Sequence, residues 1–331
     1  MSEDALLRWL RARIGLSKIG DDAAVLPDGG PFAVTVDSQI AGVHFPPELD
    51  PAHLARRLLA VNLSDLAATG ADPAWAFLAL STPPGFDHKR FFTSFLAACE
   101  TWGVELAGGD LAASPRAVVA TLTLIGTRPA GGRWLRRSDA APGHDLWLGG
   151  TAGESAAGRR LIDRGARLRG RRVELPGSFS GPPALLAAAR RAVRRHLLPE
   201  PQMALGKWLG RQTEGAAMDV SDGVARDLHR LCHESSTGAE VRAELLPLPD
   251  RFAQLCAAIG SDPLALALAG GEDYVLLFTL PPDVSPPERF GCRRIGRITR
   301  AKSIALIDGG VSRPLPPLGW DHLEKQEAPA S

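Results

Sequence analysis

The sequence predicts a mixed α/β protein, with strands and helices interleaved and arranged as two domains. Strand-patterned and helix-patterned stretches alternate in both halves of the chain. Its 331 residues suit two domains of ordinary size. Between residues 128 and 143 the regular pattern breaks into Gly, Pro, Arg and Ala, including Ala140-Ala-Pro-Gly. That break sets the expected domains at 1–137 and 138–331.

The elements follow in order. Residues 4–13 read as a short amphipathic helix with Leu6, Leu7 and Leu10 on one side and Ser2 as a cap. Residues 32–36 form a strand between Gly29-Gly30-Pro31 and Asp37. Residues 51–59 have helical spacing, with Leu54, Leu58 and Val61 as the buried stripe. Residues 74–80 make a buried strand, and 88–102 a helix ended by Gly103. The β-branched run Val118, Val119, Thr121, Thr123, Ile125 predicts a strand over 117–126. Past the break, a strand at 145–148 runs through the glycine-rich stretch 149–158 into a helix. Residues 216–220 form another strand, and Asp222 is expected to cap a helix bearing Val224, Leu228 and Leu231. A strand at 274–280 follows, and 295–298 with 304–307 are expected to pair and close the sheet.

Composition excludes several function classes. The formal net charge is +1, so no global field selects nucleic acid or a membrane. The arginine-rich stretch 159–195 could be a nucleic-acid surface or a solvated helix pair with a basic loop. The near absence of aromatic residues there favours the second reading, and no nucleic-acid partner is expected. Cys99, Cys232, Cys256 and Cys292 are widely spaced and form no CxxC pair, which suggests free thiols in a reducing compartment. The N-terminal stretch carries charges within its apolar run, and no long uncharged apolar segment exists; a cytoplasmic protein with no membrane partner is expected.

The chemistry lies in five acidic clusters at the ends of apolar runs. These hold Asp21 and Asp22; Asp37; Asp65; Asp110; and Asp219 with Ser221 and Asp222. Any one alone reads as a cap or turn residue. Carboxylates gathered at one place repel by ~4 kcal/mol for a pair at 4 Å and an effective dielectric near 20, so they call for cations between them. Mg²⁺ takes one or two carboxylates per ion and completes its shell with water and phosphate oxygens, which points to a phosphotransferase. The Walker phosphate loop is missing: Gly206-Lys207 has Pro201 at the required upstream position and is followed by Trp208. The protein-kinase signature set is missing as well. Residues 149–158 could bind an anion at a helix N-terminus or simply make a tight turn.

Taken together, Gly20-Asp-Asp-Ala-Ala, Thr35-Val-Asp, Gly42-Val-His-Phe, Val61-Asn-Leu-Ser-Asp-Leu-Ala-Ala-Thr-Gly-Ala-Asp-Pro, Gly108-Gly-Asp, Met218-Asp-Val-Ser-Asp-Gly and Gly270-Gly-Glu-Asp-Tyr resemble the thiamine-monophosphate kinase family. That family belongs to the aminoimidazole ribonucleotide synthetase-like superfamily. The resemblance runs from about residue 19 to 322, with order and spacing both matching. It implies the superfamily's two-domain α/β fold, a homodimer in which N-terminal strands pair between subunits, and a C-terminal domain closing over the site. It implies transfer of the γ-phosphoryl of ATP onto thiamine monophosphate. By resemblance, Asp22, Thr35, Asp37, Asp65, Asp110, Asp219 and Asp222 would hold several Mg²⁺ ions. Gly109, Asp110, Arg137 and Ser221 would contact ATP, and His44, Glu272 and Trp320 the substrate. Outside that role, His44 reads as a satisfied surface histidine, Glu272 as a turn carboxylate and Trp320 as a packing anchor. No general base is expected, because an acceptor phosphate with a second pKa of about 6 is already ionised. The chain departs from the family at Val36, Gln202 and Val275, where relatives carry a hydroxyl residue, an arginine and an acidic residue. The rival readings are a superfamily member acting on an amide or carbamoyl acceptor, and a non-catalytic nucleotide or metal binder. A selenophosphate synthetase would need a reactive cysteine in an N-terminal glycine-rich segment, whereas the first cysteine here is Cys99.

Overall fold

The protein, a computed structural model, is described over residues 24–26 and 32–321. The expected helix at 4–13 and both Asp21 and Asp22 lie outside the described residues.

Alternating burial builds the first sheet. Strands β1 (Ala24–Leu26), β2 (Phe32–Ile40), β3 (Asp72–Thr82), β4 (Glu105–Ala113) and β5 (Val119–Thr127) lie in the order β1-β2-β5-β3-β4. All neighbours are antiparallel except β3 and β4, which run parallel. On one face Ala33, Ala76, Leu78, Leu80, Ala120, Leu122 and Leu124 are buried, as a period of two demands. Helices α1 (Pro51–Thr69) and α2 (His88–Trp102) supply apolar partners such as Leu58, Leu66, Phe91 and Phe95 to the same core. The opposite face leaves Val36, Trp75 and Phe77 exposed.

Helix α1 starts on the Asp50 cap, whose carboxylate accepts from the Ala52 N–H, with Pro51 at the first turn; Gly70 ends it at φ +75°. It runs ten residues beyond the predicted end. The extension is buried almost all round, so one-sided periodicity disappears there. Helix α2 matches the predicted bounds, and its left-handed Gly103 stops it.

The second sheet has the order β14-β13-β10-β12-β6-β11-β9. Its strands are β6 (Asp145–Leu148), β9 (Ala217–Asp219), β10 (Gly238–Arg242), β11 (Leu276–Leu280), β12 (Arg293–Thr299), β13 (Ile304–Asp308) and β14 (Val311–Pro314). The expected pairing of 295–298 with 304–307 is not found. Strand β10 lies between them, antiparallel to β12 and parallel to β13. Helices α3 (Glu154–Asp163), α4 (Pro183–Leu197), α5 (Met203–Leu209), α6 (Val224–Ser235), α7 (Phe252–Ala258) and α8 (Pro263–Ala269) complete the described part, with the small hairpin β7 (Arg167–Arg169) and β8 (Arg172–Glu174). In the arginine-rich stretch, α4 buries Ala188, Ala189, Ala192 and Val193. Arg159, Arg169 and Arg191 pair with Asp163, Glu174 and Glu154.

Helix α5 packs directly on α1. A Cβ at Gly206 would sit 2.1 Å from the Ala67 carbonyl oxygen, so the absent side chain permits the contact. The four cysteines are free. Among the described residues no single helix is long and apolar enough to cross a membrane.

Candidate active site

Helix α1 brings the aspartates of the two sheets together. On β2, Thr35 and Asp37 share the face that meets α1. The Thr35 hydroxyl donates to Asp65 Oδ2, and one residue earlier on α1 the Ser64 hydroxyl donates to Asp219 Oδ2 at 2.6 Å. Ser64 and Asp219 are both buried, and Asp219 ends β9, an edge strand of the second sheet.

The turn after β9 is organised by a carboxylate that sequence reasoning missed. Asp227, wholly buried, accepts through Oδ2 from the N–H groups of Ser221, Asp222 and Gly223, each at 3.1 Å. Its Oδ1 accepts from Arg230 Nη1 at 3.1 Å, and the same nitrogen pairs with Asp222. Burial pushes the Asp227 carboxyl up to about 7 and the Asp222 charge adds to this, while Arg230 and Arg137 oppose it. Asp222 is therefore not the cap of α6: Gly223 holds that position with no side-chain bond, and Asp227 holds the N–H groups of the turn that precedes the helix. The Arg137 carbonyl is anchored by Ser235 Oγ at 2.6 Å. The Trp320 backbone N–H donates to the Asp222 carbonyl at 3.0 Å, and Arg226 pairs with Asp321 at 3.0 Å, docking this segment on α6.

Glu272 stands in a loop of unusual backbone. Gly271, Glu272 and Tyr274 all have positive φ, +66°, +55° and +48°. This is why β11 begins at Leu276 and not at Tyr274. The Glu272 N–H donates to the Ser221 carbonyl at 2.6 Å and the Tyr274 N–H to Val220 at 2.9 Å, fastening this loop to the Ser221 turn. Burial raises the Glu272 carboxyl, with the Arg57 and Arg159 charges opposing. The Tyr274 hydroxyl is raised well above its ordinary range by burial first, then by the charge of Glu272, with Asp37 and Asp219 contributing. Asp37, Asp219 and Glu272 thus lie in one electrostatic neighbourhood.

Asp273 resolves the glycine-rich stretch. Its carboxylate accepts from Gly153 N–H at 2.6 Å and Ser155 N–H at 3.1 Å. The N-terminus of α3 therefore already holds an anion, and that anion is the protein's own side chain. Burial pushes this carboxyl up to about 6.

Other expected residues stand apart. Gly109 and Asp110 lie on the outer strand β4, where Asp110 is exposed and its side chain makes no hydrogen bond or ion pair among the described residues. A Cβ on Gly109 would fall 2.1 Å from the Leu78 oxygen, so only glycine allows β4 to approach β3 there. His44 Nδ1 accepts from the Ile40 N–H at 3.1 Å in the loop after β2. Arg159 Nη1 holds the same loop through the Val43 carbonyl at 2.8 Å.

Among the described residues no three His, Cys, Asp or Glu side chains are close enough together to hold a metal ion. The oxygens of Thr35 and Asp65, joined by a hydrogen bond, and of Asp219, bound to the neighbouring Ser64, are hard donors of the kind Mg²⁺ takes and would not select a thiolate-seeking metal. Of the residues missed, Ser64 sits inside the Asn-Leu-Ser-Asp motif and was open to detection. Arg57 and Asp227 look like ordinary charges on helix surfaces and give no such signal.

The family described as "AIR synthase related protein, N-terminal domain" matches residues 20–127. The thiamine-monophosphate kinase of Salmonella typhimurium is 39% identical over 267 residues, covering 80% of this chain and 76% of the relative. The chain belongs to the thiamine-monophosphate kinase family. The thiamine-monophosphate kinase of Aquifex aeolicus is 29% identical over 327 residues and covers 98% of both chains. A solved structure described as "AaThiL complexed with AMPPCP and TMP" superposes with a TM-score of 0.83 at 29% identity, covering 97% of each chain. The fold is therefore AIR synthase-like.

The three positions expected to depart from the family pattern have distinct settings in the fold. Val36 is exposed on the sheet face opposite Thr35 and Asp37, so its side chain points away from theirs. Gln202 accepts from the Leu276 N–H at 2.8 Å and donates to the Gly149 carbonyl, joining the glycine-rich turn to β11. An arginine cannot accept that N–H. Val275 is buried, and its carbonyl accepts from the Val220 N–H at 2.9 Å.

Proposed function

We propose that this chain transfers the γ-phosphoryl of ATP directly to the phosphate of thiamine monophosphate, releasing ADP and thiamine diphosphate. The observation that carries this reading is the likeness, over nearly the whole chain, to a family structure described as holding an ATP analogue and TMP. Both reactants are anions, so positioning and charge neutralisation dominate the barrier. Several Mg²⁺ ions would screen the two phosphates and hold them in line. Asp22, Thr35, Asp37, Asp65, Asp110, Asp219 and Asp222 would hold these ions. Gly109, Arg137 and Ser221, with Asp110, would position ATP. His44, Glu272 and Trp320 would contact the substrate, and the Trp320 ring offers a face to the cationic thiazolium. No side chain acts as general base, since the acceptor oxygen is already ionised. Residues 1–137 would bind ATP and Mg²⁺ and form the dimer contact, and residues 138–331 would close over the site. The exposed Val36, Trp75 and Phe77 on one sheet face support a homodimer. The proposed setting is the cytoplasm.

The test is direct. Purified protein with ATP, Mg²⁺ and thiamine monophosphate should yield thiamine diphosphate, and Asp110→Asn or Asp222→Asn should be nearly inactive. Chelation of Mg²⁺ should stop turnover. Phosphorylation of a different acceptor only would move the chain elsewhere in the superfamily.

A further inference from the structure

Among the described residues Arg57 is the largest side chain that the core buries completely. It sits on α1 among leucines, where an apolar residue would fit without the cost of desolvating a guanidinium. Its donors reach three separate segments. Nε donates to Gln39 Oε1 on β2 at 2.7 Å, Nη1 to the His196 carbonyl in the last turn of α4, and Nη2 to Glu272 Oε1 at 2.5 Å. The other carboxylate oxygen, Glu272 Oε2, lies 3.2 Å from His196 Nδ1, and that nitrogen is 3.1 Å from Ser155 Oγ. Arg57, on the helix that carries Ser64 and Asp65, is therefore the charged partner of the Glu272 carboxylate, and the His196 ring lies beside its other oxygen. The backbone at Glu272 has a positive φ, so the main chain alone does not favour this placement.

We propose that Arg57 is a positioning residue: it fixes the Glu272 carboxylate, relative to the Asp65 and Asp219 oxygens, in the orientation that receives thiamine monophosphate. This rests on the reading of Glu272 as a substrate contact. A guanidinium fork can hold Gln39, the His196 carbonyl and Glu272 at once. A lysine keeps the charge but has no planar fork, so it cannot reproduce that geometry.

The experiment is a double-mutant cycle with Arg57→Lys and Glu272→Gln, singly and together, in steady-state assays of the full chain with ATP, Mg²⁺ and thiamine monophosphate. Arg57→Lys should lower kcat/KM for thiamine monophosphate by roughly 10²-fold, the scale of a displacement near 1 Å. The KM for ATP should stay at its wild-type value. In the Glu272→Gln background the same change should cost almost nothing, because the group it positions is altered already. Effects that multiply in the double variant, or KM values that rise together for both substrates, would overturn the proposal and leave Arg57 with a structural role only. Arg57→Met serves as the second single variant, with its folded fraction read by thermal melting; it should lose more than Arg57→Lys does. Absence of wild-type turnover would count against the substrate reading instead.

Discussion

Replacing Gly206 by alanine sets two effects of opposite sign against each other. Helix propensity favours alanine over glycine by about 1 kcal/mol within a helix. Sterics oppose it: the new Cβ would lie 2.1 Å from the Ala67 oxygen, against 3.4 Å for ordinary contact. The obstacle is backbone on another helix and cannot rotate aside. Either α5 moves off α1 by about 1 Å or the overlap strains both, and overpacking of this kind costs roughly 1–3 kcal/mol. The net expectation is destabilisation by about 1 kcal/mol, or ~2–4 °C in the melting midpoint. Activity should suffer more than stability. Ala67 is three residues from Ser64, whose 2.6 Å bond to Asp219 joins α1 to the second sheet. A shift of 1 Å in α1 breaks that bond and displaces Asp65, and a misplacement of this size costs roughly 10²-fold in rate. Differential scanning fluorimetry and kcat/KM for thiamine monophosphate, run on the same preparation, measure both. A variant more stable than wild type, with full activity, would show that the helices yield without cost and refute the reasoning.

Three further changes test other contacts. Ser64→Ala removes the donor to a buried carboxylate and should cost about 1.5–3 kcal/mol, the range for hydrogen bonds to charged groups; an unchanged urea midpoint would show that the bond contributes nothing. Asp227 and Asp273 have carboxyls raised to about 7 and about 6, above the ordinary value near 3.9 of an unfolded chain. Their folded forms bind protons more tightly, so the stability they contribute is full below about pH 4 and is lost as pH rises through 6 and 7. The melting midpoint should fall over that window, and Asp227→Asn should flatten the part near pH 7; a variant with the wild-type slope would contradict the assignment. Gln202→Arg should destabilise by about 1–3 kcal/mol because the Leu276 N–H loses its acceptor. A more stable variant would show that the loop re-forms around arginine.

Legibility followed the physics of one-sided burial. Helix α2 and strand β6 match their predicted bounds because each has a regular buried pattern and a clear stop. The far half of α1 was missed because burial on all sides removes the period. Strand β4 was missed for the opposite reason: almost all of it is exposed and Gly108-Gly109 interrupts it. The pairing of β12 and β13 with β10 is a long-range choice that no local pattern records. In the site, the motif aspartates were visible as residues beside Gly, Ser, Thr or Asn. Their partners were harder to see. Asp227 acts on backbone N–H groups of a turn four to six residues upstream, and Arg57 acts on a loop more than two hundred residues away.

The aspartates also bear on what the protein needs in order to fold. From sequence, gathered carboxylates demand cations, since each close pair repels by ~4 kcal/mol at an effective dielectric near 20. In the fold the inner carboxylates already have donors from the chain itself: Thr35 for Asp65, Ser64 for Asp219, Arg230 for Asp222, and three N–H groups for Asp227. Those contacts offset the repulsion before any ion arrives, and exposed Asp110 is screened by water. On this reading the Mg²⁺ proposed for turnover is not needed for structure. Protein stripped with chelator should melt at the same temperature as protein in Mg²⁺ alone. Mg²⁺ with an ATP analogue at a hundredfold excess over its Kd should add about 2.7 kcal/mol by mass action. If chelation by itself lowers the midpoint by as much as the nucleotide complex raises it, the internal donors are insufficient and the cations belong to the fold.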